Sequence, residues 1–261
     1  MIDLEYIRSF FSPTIANNKR FDRYMLKEYI QLMILDYITS TKYAENLSFI
    51  GGTNLRLVQG IDRFSEDLDF DCKNLSENDF MLLTDNIIHE LQKNGINVET
   101  RDKVNSNLTA FRRNLYFPQM LFDLGLTGHR EERFLVKIES QDQGFQYQPK
   151  IVNISRMGFF FDVQTPPDDV LCSMKLSALI SRQKGRDFYD SIFLLSKTKP
   201  NYEYLVEKQH IANLQELKSA IFATLLKVDL NIKKQDFIHL LFKEENAERI
   251  LGFGKFVENL E

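Results

Sequence analysis

One short region constrains this chain more than any other: Gly51-Gly52-Thr53-Asn54-Leu55, followed by Arg63-Phe64-Ser65-Glu66-Asp67-Leu68-Asp69-Phe70-Asp71. Leu47-Ser48-Phe49-Ile50 has strand character and runs into the paired glycines, which let the backbone turn sharply and let a ligand approach exposed N–H groups. Thr53 is expected to cap a helix that starts at Asn54, and the unpaired N–H groups of a helix start favour an anion such as phosphate. In the second half, Asp67, Asp69 and Asp71 alternate with Leu68 and Phe70, so a strand here places three carboxylates on one face. Like-facing carboxylates repel, and a bound cation removes that cost. Oxygen donors of this kind suit Mg2+ or Mn2+, with a substrate's phosphates completing the shell. A solvated edge strand guarded by charges is the competing reading. The glycine turn followed closely by the acidic strand predicts a chain that handles a nucleoside triphosphate together with a divalent metal.

The 261 residues suffice for one large domain or two smaller ones. A composition that is 43% hydrophobic and 27% charged is that of an ordinary globular protein, and 22 phenylalanines with no tryptophan imply a phenylalanine-rich core. A net charge of -4 argues against a generally basic nucleic-acid binder, though Arg112-Arg113 and Arg182-x-Lys184-x-Arg186 could form a local basic patch. Two cysteines, Cys72 and Cys172, form neither a disulfide framework nor a zinc spacing, which suggests a reducing, cytoplasmic home. The start Met1-Ile2-Asp3-Leu4-Glu5 does not read as a secretory signal, and no apolar run approaches the ~20 residues of a bilayer span, so no membrane association is expected.

Residues 22–39 carry an apolar helical stripe of Met25, Leu26, Tyr29, Ile30, Met33, Ile34, Tyr37 and Ile38, flanked by Lys27 and Glu28, which are expected at a solvated edge. Residues 76–94 predict a second helix, with Ser76 as N-cap and Gly95 as stop. Residues 96–100 alternate as a strand, and 107–140 hold strand-like runs broken by Pro118 and by Gly125–Gly128. In 134–139, Phe134, Val136 and Ile138 share one face, and Leu135, Lys137 and Glu139 the other. Glu139 is placed to bring a further carboxylate from a neighbouring strand, or simply to decorate a surface Lys/Glu face. Pro166-Pro167-Asp168-Asp169 signals a helix start and the main boundary. The expectation is an α+β chain: an α/β core over 1–165 and a helical part over 166–261, helical from Val170 apart from a Lys199-Pro200 break, with the nucleotide held in the cleft between them. Lys175 and Arg182 lie two helical turns apart on one face, and Asp187 and Asp190 share a face. The histidines form no recognisable catalytic set, and acyl-transfer chemistry is disfavoured.

The motifs Phe49-Ile50-Gly51-Gly52-Thr53-Asn54-Leu55 and Arg63 to Asp71 resemble motifs one and two of the AbiEii/AbiGii abortive-infection toxin family, nucleotidyltransferases of the polymerase-beta-like superfamily. Leu26-Lys27-Glu28-Tyr29 resembles the family's preceding helix, Val136-Lys137-Ile138-Glu139 its later acidic strand, Lys175-Leu176-Ser177-Ala178-Leu179 its third motif and Gly185-Arg186-Asp187-Phe188-Tyr189-Asp190 its fourth. The resemblance runs in order over about residues 20–200.

It implies a polymerase-beta-like mixed sheet flanked by helices and a metal-dependent nucleotidyltransferase toxin of a toxin–antitoxin or phage-defence system. Such an enzyme moves a nucleotide from an NTP to an RNA acceptor, typically a tRNA 3′ end, or to a protein, and is paired with an antitoxin. On that reading Asp67, Asp69, Lys175 and Asp187 are catalytic; Gly51, Gly52, Thr53, Arg63, Ser65, Lys175, Arg182 and Asp190 bind nucleotide; and Asp67 and Asp69, with Glu139 or Asp71, hold Mg2+ or Mn2+. Lys175 would meet the charge of the departing pyrophosphate, with Asp187 positioning it or lying near the acceptor. The chain has Gly-Gly where many superfamily members have Gly-Ser, so a hydroxyl would have to come from Thr53 or elsewhere. A phosphotransferase on the same scaffold and a non-enzymatic binding relative are the alternatives.

Overall fold

The acidic segment becomes an interior strand of a mixed five-stranded sheet. A computed structural model, describing residues 2–100 and 110–261, gives β1 (Leu47–Ile50), β2 (Asp67–Cys72), β3 (Glu99–Thr100), β4 (Phe111–Tyr116) and β5 (Leu135–Gln141) in the order β1-β2-β5-β4-β3. Only β2 and β5 run parallel; the other neighbours are antiparallel. β3 takes up only the end of the expected 96–100 strand, and residues 107–109 lie outside the described residues. Phe134, Val136 and Ile138 are buried and their alternates face outward, as the alternation predicts. A separate antiparallel hairpin, β6 (Lys150–Arg156) with β7 (Phe159–Thr165), was not foreseen.

Helix α1 (Asp22–Thr39) spans the expected range but is buried around most of its circumference. Tyr29 packs edge-on against Phe159 at 5.4 Å. The solvated edge expected for Lys27 and Glu28 is corrected here: both are buried. Glu28 accepts hydrogen bonds from Arg56 Nε at 2.8 Å and Arg156 Nε at 2.7 Å, and paired guanidinium groups are what make a buried carboxylate tolerable.

α2 (Gly51–Leu57) begins two residues before Thr53, so Thr53 is not its cap. α3 (Glu77–Lys93) is capped as predicted, Ser76 Oγ accepting from the Asp79 N–H at 3.1 Å.

The described chain divides into two compact units. One comprises 1–58, 65–144 and 149–165; the other comprises 59–64, 145–148 and 166–261. In the second, α4 (Asp168–Arg182) and α5 (Gly185–Leu195) are followed by further helices and 3-10 turns. The short excursions are secured within it. Arg63 forms a bridge with Leu241, Tyr189 donates to Asp62 Oδ1 at 2.7 Å, and the Phe145 ring meets Tyr204 at 5.1 Å. No helix among the described residues is long and apolar enough to cross a membrane.

Candidate active site

The site in the first unit is built from the strand register. Asp67 pairs with Lys137 and Asp69 with Glu139 across β2 and β5, and Arg112 on β4 lies opposite Glu139. Side chains so paired share one face of the sheet. Behind this row stands the glycine turn. Gly51 has φ +79°, a left-handed conformation open to glycine, and a Cβ there would come within 2.8 Å of the Asp69 Cβ and closer still to its carboxylate oxygen. The turn and the second aspartate therefore touch, and only a residue without a side chain permits that approach.

The acids are not bare. Lys137 Nζ lies 3.0 Å from Asp67 Oδ2 and 3.3 Å from Glu139 Oε2, and Arg112 closes on Glu139 Oε1. Burial works against the Lys137 charge, yet Asp67 and Glu139 together hold its pKa above the ordinary lysine value. The repulsion inferred from the sequence is thus relieved in large part by the chain's own cations. Glu139, expected as a metal ligand, is committed to Arg112 and Lys137. Asp71, the other candidate, is buried and accepts the Gln143 N–H at 2.8 Å. Among the described residues no three His, Cys, Asp or Glu side chains converge as a metal cage. Asp67, one of whose oxygens faces Lys137, and Asp69 lie nearest the glycine turn, and two carboxylates beside that backbone fit Mg2+, which takes one or two carboxylates and completes its shell with phosphate and water.

Other expected ligands have structural duties instead. Thr53 is fully buried and donates its hydroxyl to the Asp67 carbonyl, tying the turn to the acidic strand rather than offering a group to phosphate. Ser65 is buried, its carbonyl accepting from Gln31 Nε2 at 3.4 Å. Lys27, which sequence reasoning had set aside, lies 3.5 Å from Glu66 Oε1; burial pushes its ammonium below the usual lysine value against the pull of Glu66 and Asp67.

In the second unit the structure brings together Arg63, Lys175 and Asp190. Arg63 is fully buried and forks onto Asp190 through Nε at 2.8 Å and Nη2 at 2.7 Å, while its Nη1 donates to the Phe64 carbonyl. Of the two roles the sequence allows Arg63, bracing its loop or touching phosphate, these bonds are of the first kind. Lys175 Nζ donates to Asp190 Oδ2 at 2.9 Å, so Asp190, not Asp187, positions the lysine. Burial alone would raise the Asp190 carboxyl, but Arg63 and Lys175 hold it below the usual carboxylate range. Asp187 is also buried and receives both arms of Arg182, at 2.9 and 2.7 Å.

A mixed sheet with its acidic strand laid against a glycine turn defines a nucleotidyltransferase of the polymerase-beta-like kind. The comparisons narrow this. The family described as "Nucleotidyl transferase AbiEii toxin, Type IV TA system" matches residues 34–248, and the chain belongs to that family. No curated protein matches it. Among solved structures, the fold is similar to MenT4, a nucleotidyltransferase toxin from Mycobacterium tuberculosis, with TM-score 0.66, 14% identity, and 100% of this chain and 91% of that one covered. It is also similar to JHP933 from Helicobacter pylori, with TM-score 0.52, 22% identity, and 91% of each chain covered. At these identities the likeness concerns the fold.

Proposed function

We propose that this toxin uses a nucleoside triphosphate and Mg2+ to attach a nucleotide to an RNA acceptor, with a tRNA 3′ end as the first candidate. The observation that carries the reading is the close approach of Gly51 to Asp69, which sets the backbone of the glycine turn beside the acidic face of β2. The N–H groups of Gly51 and Gly52 cradle the distal phosphates, and Asp67 and Asp69 hold the metal. When bound, Mg2+ neutralises charge at the α-phosphate and lowers the pKa of the attacking hydroxyl. The acceptor oxygen bonds to the α-phosphorus, the bond to the β-phosphate's bridging oxygen breaks, pyrophosphate leaves, and the hydroxyl proton passes to solvent. Family membership supports a cognate antitoxin that restrains the activity.

The test is incubation with each α-labelled triphosphate, Mg2+ and total cellular RNA. Label is expected on RNA with the wild type and not with Asp69→Asn. Transfer from γ-labelled but not α-labelled triphosphate would make the protein a phosphotransferase instead, and undiminished transfer by a folded Asp69→Asn protein would overturn the site.

A further inference from the structure

Lys137 occupies the space between two carboxylates of the acidic face. Its ammonium lies between Asp67 Oδ2 and Glu139 Oε2, the two carboxylates that a third-acid arrangement would join through a cation. This is no chance meeting of long surface side chains. Asp67 and Lys137 are register partners on adjacent parallel strands, Glu139 follows on the same face, and Arg112 reaches Glu139 from the third strand. The three side chains Asp67, Lys137 and Glu139 are 23, 25 and 21% exposed, enough for a substrate to reach them but too little for their charges to be lost to solvent.

We infer that Lys137 is the site's built-in second cation: Asp67 and Asp69 take a single divalent ion, Lys137 faces the substrate's phosphate charge beside it, and Glu139 with Arg112 is the bracket that positions the lysine. The inference rests on the nucleotidyltransferase reading above and deepens it. Two local cations support it: Lys137 answers both Asp67 and Glu139, and Arg112 closes on Glu139 as well, so the place a second divalent ion would take at Glu139 is already filled by positive charge. A second ion at Glu139 would have to displace both an ammonium and a guanidinium and then sit beside them as a like charge. An ammonium on a flexible stem can also shift by an ångström or more toward phosphate as charge develops there, which a carboxylate-bound ion does less readily.

The experiment counts ions rather than turnovers. Mn2+ is titrated into the full-length protein and the bound fraction read by electron paramagnetic resonance, for the wild type, Lys137→Met, Lys137→Arg, Glu139→Gln and Asp69→Asn, each checked for folding by circular dichroism. One Mn2+ per chain is expected for the wild type. Glu139→Gln should keep that ion within about twofold, since its carboxylate is not a ligand. Lys137→Met should bind Mn2+ roughly tenfold more tightly, or take up a second ion, because a like charge has gone. Lys137→Arg should restore wild-type behaviour, which loss of strand packing alone would not predict. Two ions on the wild type, one of them lost in Glu139→Gln, would overturn the role of Lys137 while leaving the nucleotidyltransferase reading intact. Unchanged Mn2+ binding in Asp69→Asn would remove the metal site itself, and this inference with it.

Discussion

The buried cluster of Arg63, Asp190 and Lys175 makes the sharpest claim about stability, and Arg63→Met is the change that probes it. Methionine keeps most of the side-chain bulk, so the loss is mainly electrostatic. It strips Asp190 of two hydrogen bonds, of 2.8 and 2.7 Å, at a site where both partners are 0% exposed. Breaking a buried pair by removing one partner costs about 3–5 kcal/mol. Because Lys175 still faces Asp190 at 2.9 Å, the low end applies, about 3 kcal/mol. The double change Arg63→Met/Asp190→Asn should cost less than the sum of the two single changes by roughly 1–2 kcal/mol, since it no longer strands a bare carboxylate. The pH dependence has a definite sign. The folded-state pKa of Asp190 is depressed, so its contribution is fully present above the unfolded aspartate value near 3.8 and is lost as pH falls through the folded value. Arg63→Met should flatten that acid limb. Urea unfolding followed by circular dichroism at neutral and acid pH measures both effects. A loss below about 1 kcal/mol with an unchanged acid limb would refute the claim that Arg63 stabilises this buried carboxylate.

Three further outcomes follow from particular contacts. Gly51→Ala should fold yet lose about 100-fold or more in nucleotide transfer, because a Cβ there drives Asp69 aside; Gly60→Ala, with φ +77° but open space around it, should keep its activity, which the labelled-RNA assay compares directly. Gly185→Ala should lower stability by more than about 2 kcal/mol in urea unfolding, since its Cβ would lie 2.8 Å from the Lys233 carbonyl carbon, which is backbone and cannot swing away. Burial pushes the Cys72 thiol up and the Cys172 thiol up to about 12, so neither should react with a thiol reagent at pH 8 until the protein is unfolded; fast labelling of Cys172 in the native state would contradict its burial.

What the sequence made legible was whatever depends on neighbours along the chain. The helix over 77–93 announced itself through the Ser76 cap and apolar periodicity, and the face of 134–139 through simple alternation. The hairpin of β6 and β7 escaped because its two-residue turn is Met157-Gly158, with φ +49° and +83°, where an Asn-Gly or Asp-Gly pair would have been recognised. Lys27 and Glu28 were misplaced because helical periodicity cannot foresee partners from elsewhere. Arg56, 28 residues away, and Arg156, 128 residues away, together allow Glu28 to be buried. The same limit governed the ligand assignments. Arg63 reads locally as a loop cation, and only Asp190, 127 residues on, turns it into an internal brace.

The acidic strand shows most clearly where local reasoning stops. Alternation alone put Asp67, Asp69 and Asp71 on one face, and their mutual repulsion seemed to require a metal. Which of those charges is already answered depends on the parallel register of β2 against β5, and register is a property of two strands that neither strand carries by itself. Shifted by one residue, Lys137 and Glu139 would turn to the opposite face, and the acids would stand uncompensated. In the observed register Lys137 meets Asp67, Asp71 is buried under the Gln143 N–H, and Asp69 is the aspartate that lies against Gly51. The fold thus distributes three chemically identical residues among three duties: one paired to a lysine, one backed by open backbone, and one spent on a loop. The aspartate at the glycine turn is therefore the position where substitution should cost the most activity.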